Sequence, residues 1–412
     1  MRNKGTAMTR RRVIGFCITV AAFLSFSPAV AETAPLPPPY AGLYQPQGVD
    51  EIGWWQVDDE QEQALINSPV LIRDEKLTAY VKDVLCRTVG YDRCSATRVY
   101  LLREPTFNAS MTMNGTMRVF SGLLLRTRNE AELASVLGHE FGHFEMRHGL
   151  QRFKARRSGS DVQAWASLLA GLSNNYHLRR SVQDLNLQIY GSYFRFSRDN
   201  EREADLLGLG YLNASNLRPQ AASHVWQNLM AEKEASALSR GLKRPKFNRI
   251  AFFASHPPQK ERATYLSALA VTEDDEREYG TERYREAMAD WLPVFLDDQI
   301  KLNDFGGSDF IIEGLSGAGW TADLWFARGQ LYRDRGHPRD LVNAVEFYRL
   351  AISEDPDMAE AYRGLGLSLF KLGKRREGQT FLRRYLELAP QASDAKMIRM
   401  MAPDEPKEEN EQ

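Results

Sequence analysis

The sequence predicts an α+β fold, predominantly α, in which a small β-sheet sits among helices and an α-solenoid ends the chain. Three observations carry this expectation. Apolar residues recur at helical spacing over much of the 412 residues, as Leu77, Val81 and Val84-Leu85 do within 50–90. Strand patterns occur at 98–102 (Arg-Val-Tyr-Leu-Leu) and 117–125, and Asn114-Gly115 supplies hairpin-turn chemistry before the second. Pro356 and Pro390 lie 34 residues apart, and the same shift carries Tyr348 onto Leu382, Ala351 onto Tyr385 and Ala344 onto Gly378, the period of a stacked helix pair.

Along the chain, residues 1–31 read as an export signal. Lys4 and Arg10 to Arg12 form a basic start, Val13 to Phe26 an apolar stretch, and Ala29-Val30-Ala31 a small-x-small cleavage site. The apolar run is shorter than the roughly 20 residues of a membrane span, and Arg10-Arg11 also resembles a twin-arginine signal. Phe16 before Cys17 is too large for a lipoprotein signal, so no lipid anchor is expected. Removing 1–31 takes five of the 53 basic residues and none of the 54 acidic ones, leaving a net charge of −6. Neither that charge nor the intact chain's −1 suggests a nucleic-acid partner. Cys86 and Cys94 then remain close together in an oxidising compartment, which predicts a disulfide. Residues 32–48, rich in proline, read as a linker. The strands frame Asn108-Ala109-Ser110, so 98–125 is expected to form a small sheet. No later segment reaches membrane-spanning length.

From Asn129 the pattern is helical, with Leu133, Val136, Leu137, Phe141 and Phe144 on one face. That helix carries His139-Glu140-Phe141-Gly142-His143. Residues i and i+4 share a helix face about 6 Å apart along the axis, so both imidazoles can bind one zinc ion. Glu140 is then placed to take a proton from a metal-bound water, whose pKa zinc lowers towards roughly 7. A third ligand is sought in the acidic helix 198–205. Spacing alone leaves Glu201 and Glu203 in competition.

His139 to His143, together with Ser197-Arg198-x-x-Glu201-x-x-Ala204-Asp205, resembles the HtpX/BepA-type zinc metallopeptidases, gluzincins that include the CAAX prenyl proteases. The resemblance spans roughly 70–270. It implies a zincin-like peptidase domain with Glu201 as third zinc ligand and Asp205 supporting a ligating histidine. Ser255-His256-Pro257 and Arg262 match a further family segment, which implies that His256 is an auxiliary group near the metal and Arg262 a structural or transition-state contact near the cleft. Residues 107–115 resemble the family's edge strand, which implies that Asn108, Ala109 and Ser110 bind substrate. The membrane spans of embedded relatives are missing, which argues against a prenylated-peptide substrate.

The expected organisation is a signal peptide (1–31), a linker (32–48), a zinc metallopeptidase domain (49–284), a helical connector or degenerate repeat (285–320), tetratricopeptide repeats (321–400) and an acidic disordered tail (401–412). The function expected is that of a periplasmic zinc metalloendopeptidase acting on misfolded or misassembled envelope proteins, with a possible envelope partner on the repeats. The alternative is a chaperone or assembly adaptor working through the repeats. A third reading has His256 or the basic stretch 152–160 inhibiting the metal site.

Overall fold

The structure, a computed structural model, describes residues 40, 45–154, 198–247, 259–271 and 276–403. The predicted export signal, most of the linker, residues 155–160 of the basic stretch, His256 and the tail beyond Pro403 lie outside them. The fold is α+β and mainly α. Helix α1 (Gly48–Ile66) is unusual in burying acids, namely Glu51, Asp58 and Glu62. It docks on the sheet and its turn through Asp58 and Glu62, while Glu51 pairs with Arg147. Glu62 takes bonds from Arg98, Tyr100 and Asn114, and Asp58 Oδ2 accepts from the Met113 amide at 3.0 Å. Helix α2 (Glu75–Val89) buries Leu77, Val81, Val84 and Leu85, as its spacing predicts, and starts at the Asp74 cap on the Leu77 amide. Cys86 at its end is disulfide-bonded to Cys94 in the short helix α3 (Tyr91–Cys94), with Cα atoms 5.2 Å apart.

The sheet has three strands, β1 (Arg98–Leu102), β2 (Ala109–Met111) and β3 (Thr116–Phe120), in the order β1-β3-β2. β3 runs parallel to β1 and antiparallel to β2, with Ser110 opposite Arg118. The hairpin turn forms at Asn114-Gly115, where Gly115 takes φ 87°. The expected strand 117–125 is corrected. It ends at Phe120, and Ser121–Arg126 is helical (α4). Leu123, Leu124 and Leu125 are all fully buried there, and the Thr127 amide closes the helix on the Leu123 carbonyl at 3.0 Å. Gly122 also lies against the carbonyls of Pro105 and Thr106, where no Cβ fits.

Helix α5 (Glu130–Glu145) starts at the Asn129 cap, whose side chain accepts from the Glu132 amide at 2.9 Å. After Arg147, helix α6 covers 148–154, and α7 covers 198–214. Helices α8 (Ala221–Ser239) and α9 (Gln259–Leu269) pack together. The main apolar core runs from Ile72 to Leu331. It therefore takes in α10 (Thr281–Met288), α11 (Leu292–Ile300), α12 (Phe305–Leu315) and one face of α13 (Ala322–Arg335). Helix α13 pairs with α14 (Pro338–Glu354), and α15 (Ala359–Lys371) with α16 (Arg375–Leu388), before α17 (Ala395–Met401). Tyr348 fills the first pair's core against Gly329 and Gly364, and Leu382, Tyr385 and Ile398 form a further cluster. Among the described residues no helix is long and apolar enough to cross a membrane.

Candidate metal centre and cleft

Helices α5 and α7 cross with little side-chain spacing between them. A Cβ added to Gly142 would lie 3.2 Å from the Ala204 carbonyl, and one added to Gly208 would lie 2.8 Å from the His139 amide nitrogen. This approach brings Glu201 opposite both histidines. His139 Nε2 and His143 Nε2 are 3.2 Å apart, and Glu201 carboxylate oxygens lie 3.6 Å and 3.4 Å from them. A tetrahedral centre with bonds of 2.0–2.1 Å has edges of about 3.3–3.4 Å, so these three donors fit three corners of a zinc site. A two-histidine, one-carboxylate set is also a donor set suited to catalytic zinc.

The outward nitrogens are held as well. His139 Nδ1 is 2.9 Å from Asp205 Oδ1. Asp205 in turn accepts two bonds from Arg262, at 2.7 and 2.5 Å, and one from the Tyr265 hydroxyl. The Arg262 guanidinium lies over the Trp226 ring, 3.7 Å from its centroid, and its Nη1 is 3.6 Å from Glu201. His143 Nδ1 is 2.8 Å from His148 Nδ1, and His148 Nε2 is 3.1 Å from Glu203 Oε2. Glu203, the rival ligand by spacing, thus faces His148, while Glu201 faces the paired histidines.

These contacts set the protonation states. Burial pushes the His139 imidazole down, but the Asp205 carboxylate outweighs it and lifts the pKa to about 9. Burial lowers His143, and it brings His148 down to about 4. For Asp205, burial pushes up, but Arg262 and His139 hold the carboxyl far below its ordinary range. A proton on His139 Nε2 and a metal ion at that nitrogen would be alternatives, while the Nδ1 proton would stay on the bond to Asp205.

Glu140 lines a cleft of about 600 Å³ beside His139 and His143. Asn108, Ala109 and Ser110 line the same cleft. β2 pairs with β3 along one edge and has no other strand partner among the described residues. The structure thus brings His139, Glu140, His143, Glu201, Asp205, Arg262 and the 108–110 segment together. His256 lies outside the described residues, and Cys86 and Cys94 are not among the residues that line the cleft. Sequence reasoning missed His148, Trp226 and Tyr265. Only His148 carried a usable signal, as a third histidine just past the pair in a chain with seven.

Residues 72–270 match Peptidase family M48. The chain is 30% identical over 190 residues to the mitochondrial metalloendopeptidase OMA1 of Schizosaccharomyces pombe, covering 45% of this chain and 50% of that protein. It is 27% identical over 224 residues to a putative beta-barrel assembly-enhancing protease of Vibrio cholerae, covering 52% and 45% respectively. It is 28% identical over 169 residues to the metalloprotease YcaL of Escherichia coli, covering 41% and 59%. The chain spans about half the length of these curated relatives.

Proposed function

We propose, from the match of residues 72–270 to Peptidase family M48, that the chain is a zinc-dependent endopeptidase of that family cleaving extended segments of misfolded or misassembled envelope proteins. The carrying observation is the convergence of His139 Nε2, His143 Nε2 and the Glu201 carboxylate beside a cleft walled by an edge strand. His139, His143 and Glu201 would hold the zinc, which would supply Lewis acidity for activating water near neutral pH. Glu140 takes the proton from the attacking water on its carboxylate and passes it to the leaving amine. Asn108, Ala109 and Ser110 bind the substrate as an added strand, so main-chain hydrogen bonds set its direction with little demand on its sequence. Asp205 and Arg262 keep His139 oriented, and His256 stays a candidate auxiliary group.

Export through 1–31 to the periplasm belongs to the same proposal. It is supported by the basic, apolar and small-residue order of that segment and by the beta-barrel assembly named in relatives. Helices α13 to α17 are read as tetratricopeptide units that select a partner or substrate. The test is metal analysis of the purified full chain with casein cleavage by wild type and Glu140→Gln. About one zinc per chain in both, with EDTA-sensitive cleavage only in the wild type, is expected. Undiminished, EDTA-sensitive cleavage by Glu140→Gln overturns the assignment.

A further inference from the structure

Behind the metal-facing donors, two imidazoles and a carboxylate form a chain that the mechanism above leaves unused. His143 Nδ1, His148 Nδ1, His148 Nε2 and Glu203 Oε2 lie in sequence, with contacts of 2.8 Å and 3.1 Å. His148 is fully buried, whereas the Glu203 side chain at the outer end is 47% exposed. Donor counting sets the direction of each bond. With His143 Nε2 turned to the metal, its proton sits on Nδ1 and His148 Nδ1 accepts it. The remaining His148 proton then sits on Nε2 and is donated to Glu203.

We propose that His148 is a positioning residue that couples His143 to the Glu203 carboxylate, fixing the tautomer and ring orientation of one metal ligand as Asp205 does directly for the other. The turn that delivers His148 supports this independently. Arg147 adopts a left-handed conformation, φ 53°, which is costly for a residue with a side chain. It is held there by an ion pair from Arg147 Nη1 to Glu51 Oε1 at 2.7 Å, with both side chains largely buried. Strain at that position, held by a buried contact from α1, is spent where it carries His148 back to His143.

The inference rests on the metal-site reading of the preceding section, and Co2+ titration of the full chain against a competing chelator separates the two. His148→Phe keeps an aromatic ring but removes the acceptor, and a loss of about 10–100-fold in Co2+ affinity with an altered Co2+ absorption spectrum is expected. His148→Gln, which offers an acceptor and a donor, is expected to recover most of both. Co2+ binding by His148→Phe as tight as the wild type's overturns the coupling, and so does a His148→Gln variant as impaired as His148→Phe. Should His148→Phe fail to fold, Glu203→Ala at the exposed end takes its place, with weaker binding supporting the coupling and unchanged binding overturning it. A wild-type chain that binds no Co2+ instead overturns the metal site itself, and the coupling with it.

Discussion

Arg262 shows at the residue scale how much one side chain behind a ligand can carry. Its side chain is 4% exposed, and its guanidinium bonds Asp205 in a bidentate manner and stands 3.6 Å from Glu201. Arg262→Ala leaves two buried carboxylates without their cation, and breaking such a buried pair costs about 3–5 kcal/mol. Chemical unfolding of the variant measures it, and an unfolding midpoint equal to the wild type's would refute the role. Arg262→Lys is expected to recover only part, since an ammonium cannot make two parallel bonds while lying flat on Trp226. The histidine pair itself was legible because i and i+4 share a face in any helix. Glu201 was not separable from Glu203 by spacing. The choice depends on which face of α7 meets α5, and the glycine contacts that decide it come from residues far apart in sequence. His148 stood out as a third histidine, but its approach to His143 was not legible for a similar reason, because it needs the left-handed turn at Arg147.

At the scale of elements, the site depends on how α1, α5 and α7 are set against one another. Gly208→Ala puts a methyl against the His139 backbone and forces α7 outward, at about 1–3 kcal/mol, the usual cost of overpacking. Zinc affinity should fall with it, since Glu201 moves with α7. Gly210→Ala on the same helix is the control. Nothing lies within 4 Å of its new Cβ, so gain in helix propensity of up to ~1 kcal/mol and unaltered zinc affinity are expected. Equal zinc affinity in both variants would contradict the close-crossing argument. Helix α1 makes a different prediction. Burial pushes the Glu62 carboxyl up, but bonds from Arg98 and Tyr100 outweigh it and hold the pKa at about 2, against an ordinary 4.5. A depressed carboxyl stabilises the fold above pH 4.5 and loses that contribution as pH falls towards 2. Glu62→Gln should therefore cost about 1–2 kcal/mol at pH 7, after screening around the half-exposed Arg98, and progressively less below pH 4.5. Unfolding curves at pH 7 and pH 3 check this, and a deficit that is the same at both counts against it. Helix α1 also marks a limit of pattern reading. Apolar spacing exposed α2 and α5, but α1 is anchored by buried acids whose partners are Arg98 and Tyr100 on β1, the turn at Met113 and Asn114, and Arg147, and no local period records that. The run Leu123 to Leu125 read as strand because three apolar residues suit either element until their neighbours are known.

For the whole molecule, the informative feature is that the core shared with α5 does not stop where the family match does. It continues through Tyr284, Phe295 and Ile311 to Leu324, Ala327 and Leu331 on α13, although the match ends at residue 270. The helical character of this region was legible. That one face of α13 belongs to the core behind the metal site was not, since the partners lie some two hundred residues upstream. Two truncations separate the roles this suggests. Ending the chain at 320 strips Leu324 and Leu331 from the main core, and burial of each contributes about 1.5–3 kcal/mol, so a lower melting temperature and weakened cleavage of casein are expected. Ending it at 336 keeps α13 and the main core but removes the helices that enclose Tyr348 and the cluster around Leu382. If α14 to α17 select substrates, this chain should cleave casein as the full chain does yet fail to relieve an envelope-stress phenotype in cells lacking the protein. Relief by the 336-residue chain would show that selection does not reside in those helices. Relief by full-length Glu140→Gln, with none from the 336-residue chain, would instead favour an adaptor working through them without proteolysis.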